Sequence, residues 1–161
     1  MRVVLSITER KDKMKTYKKY ELYAEESRVW DSDYDYNARN HEAVYKFATE
    51  ILKLDKADRE IFGVLCLNSQ LDIIGYNEAS KGNLTSTLAT PREIFKLAIM
   101  QNAYAIIALH QHPSGDSTPS EADLKTTRSL VKAGKLLEIP LLDHLVIGHN
   151  SYFSFAEEGL I

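Results

Sequence analysis

The stretch Leu109-His110-Gln111-His112-Pro113-Ser114-Gly115-Asp116-Ser117-Thr118-Pro119-Ser120-Glu121-Ala122-Asp123 decides how this chain reads. The apolar run Tyr104 to Leu109 leads into it. That run is short and ends on turn residues, so it predicts a buried strand. Side chains two apart on a strand share a face. His110 and His112 therefore present their imidazoles side by side where the strand ends. The Pro-Ser-Gly loop turns the chain back, with Gly115 permitting the turn. Thr118-Pro119-Ser120-Glu121 predicts a helix start, with Thr118 as N-cap, Pro119 in the first helical position and Glu121 closing a capping box. Ser120 and Asp123, three apart, then lie on one helix face.

Taken singly, these residues are ordinary. A histidine near a strand end is usually structural, and an aspartate near a helix start favours the helix dipole. The combination in one strand-loop-helix context points to a metal. Zinc takes imidazole nitrogen and carboxylate oxygen, and a catalytic site holds it by three protein ligands with one position open to water. The reading is that His110, His112 and Asp123 bind one zinc ion.

The pattern resembles the JAMM (MPN+) metallopeptidase motif. The wider set Pro91-Arg92-Glu93, His112-Pro113-Ser114-Gly115, Pro119-Ser120 and Leu142-Asp143-His144 resembles the RadC branch of that family, from about Asp58 to the C-terminus. Gln111 departs from it, since many RadC-type chains carry Asn there. Full-length RadC proteins also have an upstream helix-hairpin-helix region, which a chain of 161 residues is expected to lack. The resemblance implies an α/β fold of JAMM/MPN+ (cytidine-deaminase-like) architecture, a central twisted mixed sheet flanked by helices. It also implies a catalytic Glu at the start of a strand, before an apolar run containing a small residue. Glu60, ahead of Ile61-Phe62-Gly63-Val64-Leu65-Cys66-Leu67, matches that description. Glu93 competes for the role, but Thr90-Pro91-Arg92-Glu93 repeats the Thr-Pro-x-Glu helix start, and a capping box accounts for it without chemistry.

Composition narrows the class. One domain is the default at 161 residues, with hydrophobic content of 44% and charged content of 27% typical of a globular protein. A net charge of −3 gives no electrostatic footprint for nucleic acid. The single Cys66 excludes an internal disulfide framework, fits a cytoplasmic setting and reads as packing. No apolar stretch approaches the ~20 residues of a membrane span.

Residues 1–38 form an N-terminal extension, and residues 39–161 the RadC-like domain. Glu9 to Lys19 is charge-rich, and its basic residues interleaved with Tyr17 and Tyr20 are of a kind that can touch nucleic acid, but acidic residues follow at once, so a solvated face or extended arm is the preferred reading. Asp31 to Asn37 is a turn-rich linker, without the Gly and distal Glu of a calcium loop. Asn40 caps a helix running to about Leu54. Glu60–Asn68 and Leu71–Tyr76 predict a hairpin, Leu84–Leu88 a short strand or active-site loop, and 91–102 a helix. Another helix runs from Pro119 to about Leu137, where Gly134 allows close packing. Leu141–Ile147 and Tyr152–Phe155 are strands. His144 is read as lying near the zinc or as a core histidine satisfied by Asp143 or backbone.

The function implied is zinc-dependent hydrolysis of an amide in a peptide or protein substrate, by a peptidase or isopeptidase. Glu60 is the general base, and Ser120 donates a hydrogen bond to the oxyanion. The loop Pro113 to Ser117 shapes the substrate groove. The alternative is a non-enzymatic zinc-binding accessory protein in DNA repair or mobile-element DNA metabolism. A nuclease is disfavoured by the single-metal site and the net negative charge.

Overall fold

The computed structural model describes residues 37–82 and 90–161, together with the backbone of two short strands, β1 (Arg2–Leu5) and β2 (Tyr20–Tyr23). The runs 9–19, 31–36 and 84–88 lie outside the described residues. The chain divides into two compact units, residues 1–33 and 34–161. In the first, β1 and β2 pair antiparallel, Arg2 opposite Tyr23.

In the second, the described α-helices and strands are α1 (His41–Lys46), β3 (Ile61–Leu67), β4 (Ile73–Lys81), α2 (Pro91–Met100), β5 (Ala105–Gln111), α3 (Glu121–Leu137), β6 (Leu141–Ile147) and β7 (Tyr152–Ser154). The sheet has five strands in the order β4-β3-β5-β6-β7. It is mixed: β5 and β6 run parallel, with α3 as the crossover, and the other neighbouring pairs are antiparallel. The fold is thus α/β with helices against the sheet, as the sequence pattern implies.

Strand parity sorts the core into two layers. Ile61, Leu65, Leu67, Ile107 and Leu109 pack with Val44 and Phe47 on the α1 side. Phe62, Val64, Cys66, Ile106 and Ala108 pack with Ile94 and Phe95 of α2 and Leu130 of α3. The central strands β3 and β5 are buried along their whole length, which explains their near-continuous apolar sequences. Even-numbered positions of β5 face α3, and this directs His110 toward that helix. Leu130, fully buried on α3, contributes about 2 kcal/mol of hydrophobic stabilisation. Gly134 lies where a Cβ would come within 2.6 Å of the Ile139 carbonyl, so a larger residue would force α3 away from the chain that leads into β6.

Four local readings differ from the structure. The helix expected to reach Leu54 changes at Phe47 into a π-helical turn, Phe47–Ile51. There the Thr49 hydroxyl donates back to the Tyr45 carbonyl at 2.9 Å, competing within the helical ladder. Strand β4 extends to Lys81, beyond the expected Tyr76. Helix α3 starts two residues later than the Thr-Pro pattern suggests. Its N-cap is Ser120, and the capping box is formed by Ser120 and Asp123. Aspartate is short enough to close that box, and burial of Asp123 at 3% exposure favours it over the exposed Glu121. Thr90 caps α2 without a side-chain hydrogen bond, so the box expected with Glu93 does not form.

Candidate metal centre

Five polar side chains meet at one end of the sheet. Glu60 immediately precedes β3, and Phe62 of β3 pairs with His110 of β5. His112 lies one residue past β5, and its backbone N–H donates to the Ile147 carbonyl at 3.0 Å. Ser120 and Asp123 arrive on the first turn of α3.

Glu60, His110 and His112 form a cluster that could hold a metal, one ligand atom from each, all within 4.8 Å of one another. Asp123 borders it. Its Oδ1 is 2.6 Å from His110 Nδ1, and its Oδ2 is 3.5 Å from His112 Nε2. On the other side of the same ring, His110 Nε2 is 2.8 Å from Glu60 Oε1. His110 Nδ1 is buried and makes no hydrogen bond, although the Asp123 oxygen is so close. A nitrogen and a carboxylate oxygen held together off the line of a shared proton suit a cation lying beside both. The donor set, two imidazoles with flanking carboxylates, is also of the type zinc selects.

His112 and Asp123 are held from behind. His112 Nδ1 donates to the Asp116 carbonyl at 2.7 Å, which leaves Nε2 bare and directed toward Asp123. Asp116 is held in turn by its own turn, where Oδ1 accepts from Thr118 N at 2.8 Å. The loop rests on the β6–β7 turn through His149 N to Gly115 O at 2.8 Å. Gly115 there has φ of +82°, and a Cβ on Gly148 would fall 2.5 Å from the Gly115 carbonyl. Asp123 Oδ2 accepts from Ser120 N at 2.7 Å and from Ser120 Oγ at 2.6 Å.

The electrostatics follow from this packing. Burial pushes the Asp123 carboxyl up, but the adjacent His110 and His112 imidazoles and the Ser120 hydroxyl outweigh it, so the carboxyl stays ionised. The Asp123 carboxylate holds the His112 imidazole above its ordinary value, against a smaller opposing effect of burial. The Cys66 thiol is buried and pushed up to about 12, which makes it unsuited to nucleophilic work.

All five residues singled out in the sequence (Glu60, His110, His112, Ser120 and Asp123) therefore lie together. Glu93 does not join them. It pairs on its own helix with Arg92 at 3.1 Å and Lys96 at 3.9 Å. Asp116, which acts through its backbone carbonyl, carries no side-chain signal, and Thr127 is readable only as one of the residues on the packed face of its helix, with Leu130 and Gly134. His144 Nδ1 pairs with the Thr127 hydroxyl at 2.7 Å. Asp143 instead accepts from the backbone N–H of His144 and Ala156 and from Ser154 Oγ, tying down the chain after β7.

Comparison with known proteins bears on what such an arrangement is for. A family model described as RadC-like JAB domain matches residues 38–160. The chain is 43% identical over 116 residues to a UPF0758 protein of Thermotoga maritima, covering 72% of this chain and 51% of that one. It is 44% identical over 122 residues to a UPF0758 protein of Symbiobacterium thermophilum, covering 76% and 51%. A UPF0758 protein of Desulfitobacterium hafniense is 48% identical over 104 residues, covering 65% and 46%. The chain spans about half the length of the curated relatives it matches.

Proposed function

Because the chain belongs to the RadC-like JAB-domain family, we propose that it is a zinc-dependent hydrolase of amide bonds, a metallopeptidase or isopeptidase acting on a peptide or protein substrate. One observation carries this reading: the His110 imidazole has a carboxylate at each nitrogen, Asp123 Oδ1 2.6 Å from Nδ1 and Glu60 Oε1 2.8 Å from Nε2, with His112 Nε2 3.5 Å from Asp123 Oδ2. His110, His112 and Asp123 would hold the metal. When bound, zinc supplies Lewis acidity, bringing the pKa of water down toward ~7 and polarising a substrate carbonyl.

The protein's own groups do the rest. Glu60 is the least buried of the four ionisable groups, with its side chain 25% exposed, so it can meet incoming water and substrate. It takes the proton of the attacking water and delivers it to the leaving nitrogen. Ser120 Oγ donates to Asp123 Oδ2 in the free site. Rotation of that hydroxyl turns its proton to the developing oxyanion. Asp116 keeps the His112 ring in one tautomer throughout.

The test is elemental analysis of the purified chain, followed by digestion of peptide and isopeptide libraries with and without chelator. Stoichiometric zinc and chelator-sensitive cleavage are expected. A zinc-loaded chain that cleaves neither library overturns the proposal.

A further inference from the structure

His144 is wholly buried on β6 and takes no part in the steps above. Its ring stacks on Phe155 at 4.8 Å and touches Phe62 at 5.4 Å. Its Nδ1 lies 2.7 Å from Thr127 Oγ1, and that oxygen lies 2.7 Å from the Asp123 carbonyl. A carbonyl only accepts, so the single hydroxyl proton of Thr127 goes there. His144 is therefore the donor in the other contact, and Nδ1 carries its proton. Nε2 is the bare nitrogen, buried with no hydrogen-bonding partner. An unpaired buried nitrogen is unfavourable. A phenylalanine would fill the same place without it, so packing alone does not account for a histidine here.

The two hydrogen bonds run from imidazole to hydroxyl to carbonyl and end on the backbone of Asp123. That residue is then held at its N–H by Ser120 Oγ, at its carbonyl by Thr127 and at Oδ2 by Ser120. Oδ1 is left facing His110. The His144 ring also lies parallel to that of His110, 6.2 Å apart at 13°, with Phe62 against both.

We propose that His144 and Thr127 are positioning residues for the metal centre, fixing the first turn of α3 so that Asp123 presents Oδ1 to a zinc ion shared with His110 and His112. This rests on the zinc reading of the site and is independent of amide hydrolysis.

The test separates affinity from stability. His144→Phe keeps the ring packing and loses the donor. His144→Asn keeps a donor at the δ position and leaves a void. Zinc affinity is measured by competition with a chelator, and stability by melting of the metal-free protein. The Phe variant is expected to melt no lower than wild type and to bind zinc roughly 10- to 100-fold more weakly. The Asn variant is expected to melt lower and to bind zinc within about threefold of wild type. If His144→Asn does not fold, Thr127→Ser and Thr127→Val decide in its place. Ser keeps affinity, and Val loses roughly tenfold or more. Affinity that simply follows melting temperature, or a Phe variant that binds as wild type does, overturns the proposal. A wild-type chain that takes up no zinc instead overturns the zinc reading itself and this inference with it.

Discussion

Glu60 and Asp123 stand on opposite sides of one imidazole, Glu60 Oε1 2.8 Å from Nε2 of His110 and Asp123 Oδ1 2.6 Å from Nδ1. The two carboxylates are not equivalent. Asp123 is locked by a capping box with its side chain 4% exposed, whereas that of Glu60 is 25% exposed. A rigid carboxylate suits a ligand, and a reachable one suits a proton carrier.

Glu60→Gln is therefore expected to keep zinc and to lose amide hydrolysis by roughly 10²- to 10⁴-fold. His112→Ala should lose the metal itself. Elemental analysis beside a cleavage assay distinguishes the two. Full activity in Glu60→Gln would move the base elsewhere.

Ser120 serves the helix and, in the proposed reaction, the oxyanion. Ser120→Ala should cost about 1 kcal/mol of stability through the lost cap, seen in denaturant unfolding. It should also lower kcat by an amount equivalent to about 3 kcal/mol. Loss of stability with unchanged kcat would leave Ser120 with the helix alone.

Gly148→Ala drives a methyl group against the Gly115 carbonyl at 2.5 Å and the Ser117 amide at 2.8 Å. Both are backbone atoms, so the loop has to shift, at an expected cost of about 1–3 kcal/mol. That loop supplies the Asp116 carbonyl that orients His112, so zinc affinity should fall along with the melting temperature.

The pH dependence of the metal-free protein has a defined sign. Burial, reinforced by the neighbouring His110, pushes the His144 imidazole down to about 3. The unfolded chain, with an ordinary histidine value near ~6.5, binds this proton first. His144 thus favours the folded state fully above about pH 6.5. That contribution is lost as pH falls toward about 3, with a slope near 1.4 kcal/mol per pH unit. His112, raised by Asp123, runs the other way: its contribution is present below about pH 6.5 and lost as pH climbs through its folded value. His144→Phe should flatten the acid limb of a stability-against-pH curve, and an unchanged limb would place the loss elsewhere.

The apolar runs ending at Leu67, Leu109 and Ile147 were legible because both faces of those strands are buried and almost every residue had to be apolar. His110 and His112 stood out against that background. What escaped was set by tertiary partners. The start of α3 depended on whether Glu121 or Asp123 would be buried, which local sequence does not encode. The π-helical turn at Phe47 coincides with the Thr49 hydroxyl donating back to the Tyr45 carbonyl, a contact that the spacing of apolar residues does not encode. Thr127 was legible as part of the packed face of α3 with Leu130 and Gly134, but not as the partner of His144, which β6 brings against it.

The alternation of β5 leaves that segment no elasticity in length. A single inserted or deleted residue between Ala105 and Leu109 would exchange its two faces and turn His110 toward α1. Insertions tolerated in descendants of this chain should therefore gather outside the strand, and a frame-preserving indel scan would show β5 as a gap in the permitted positions.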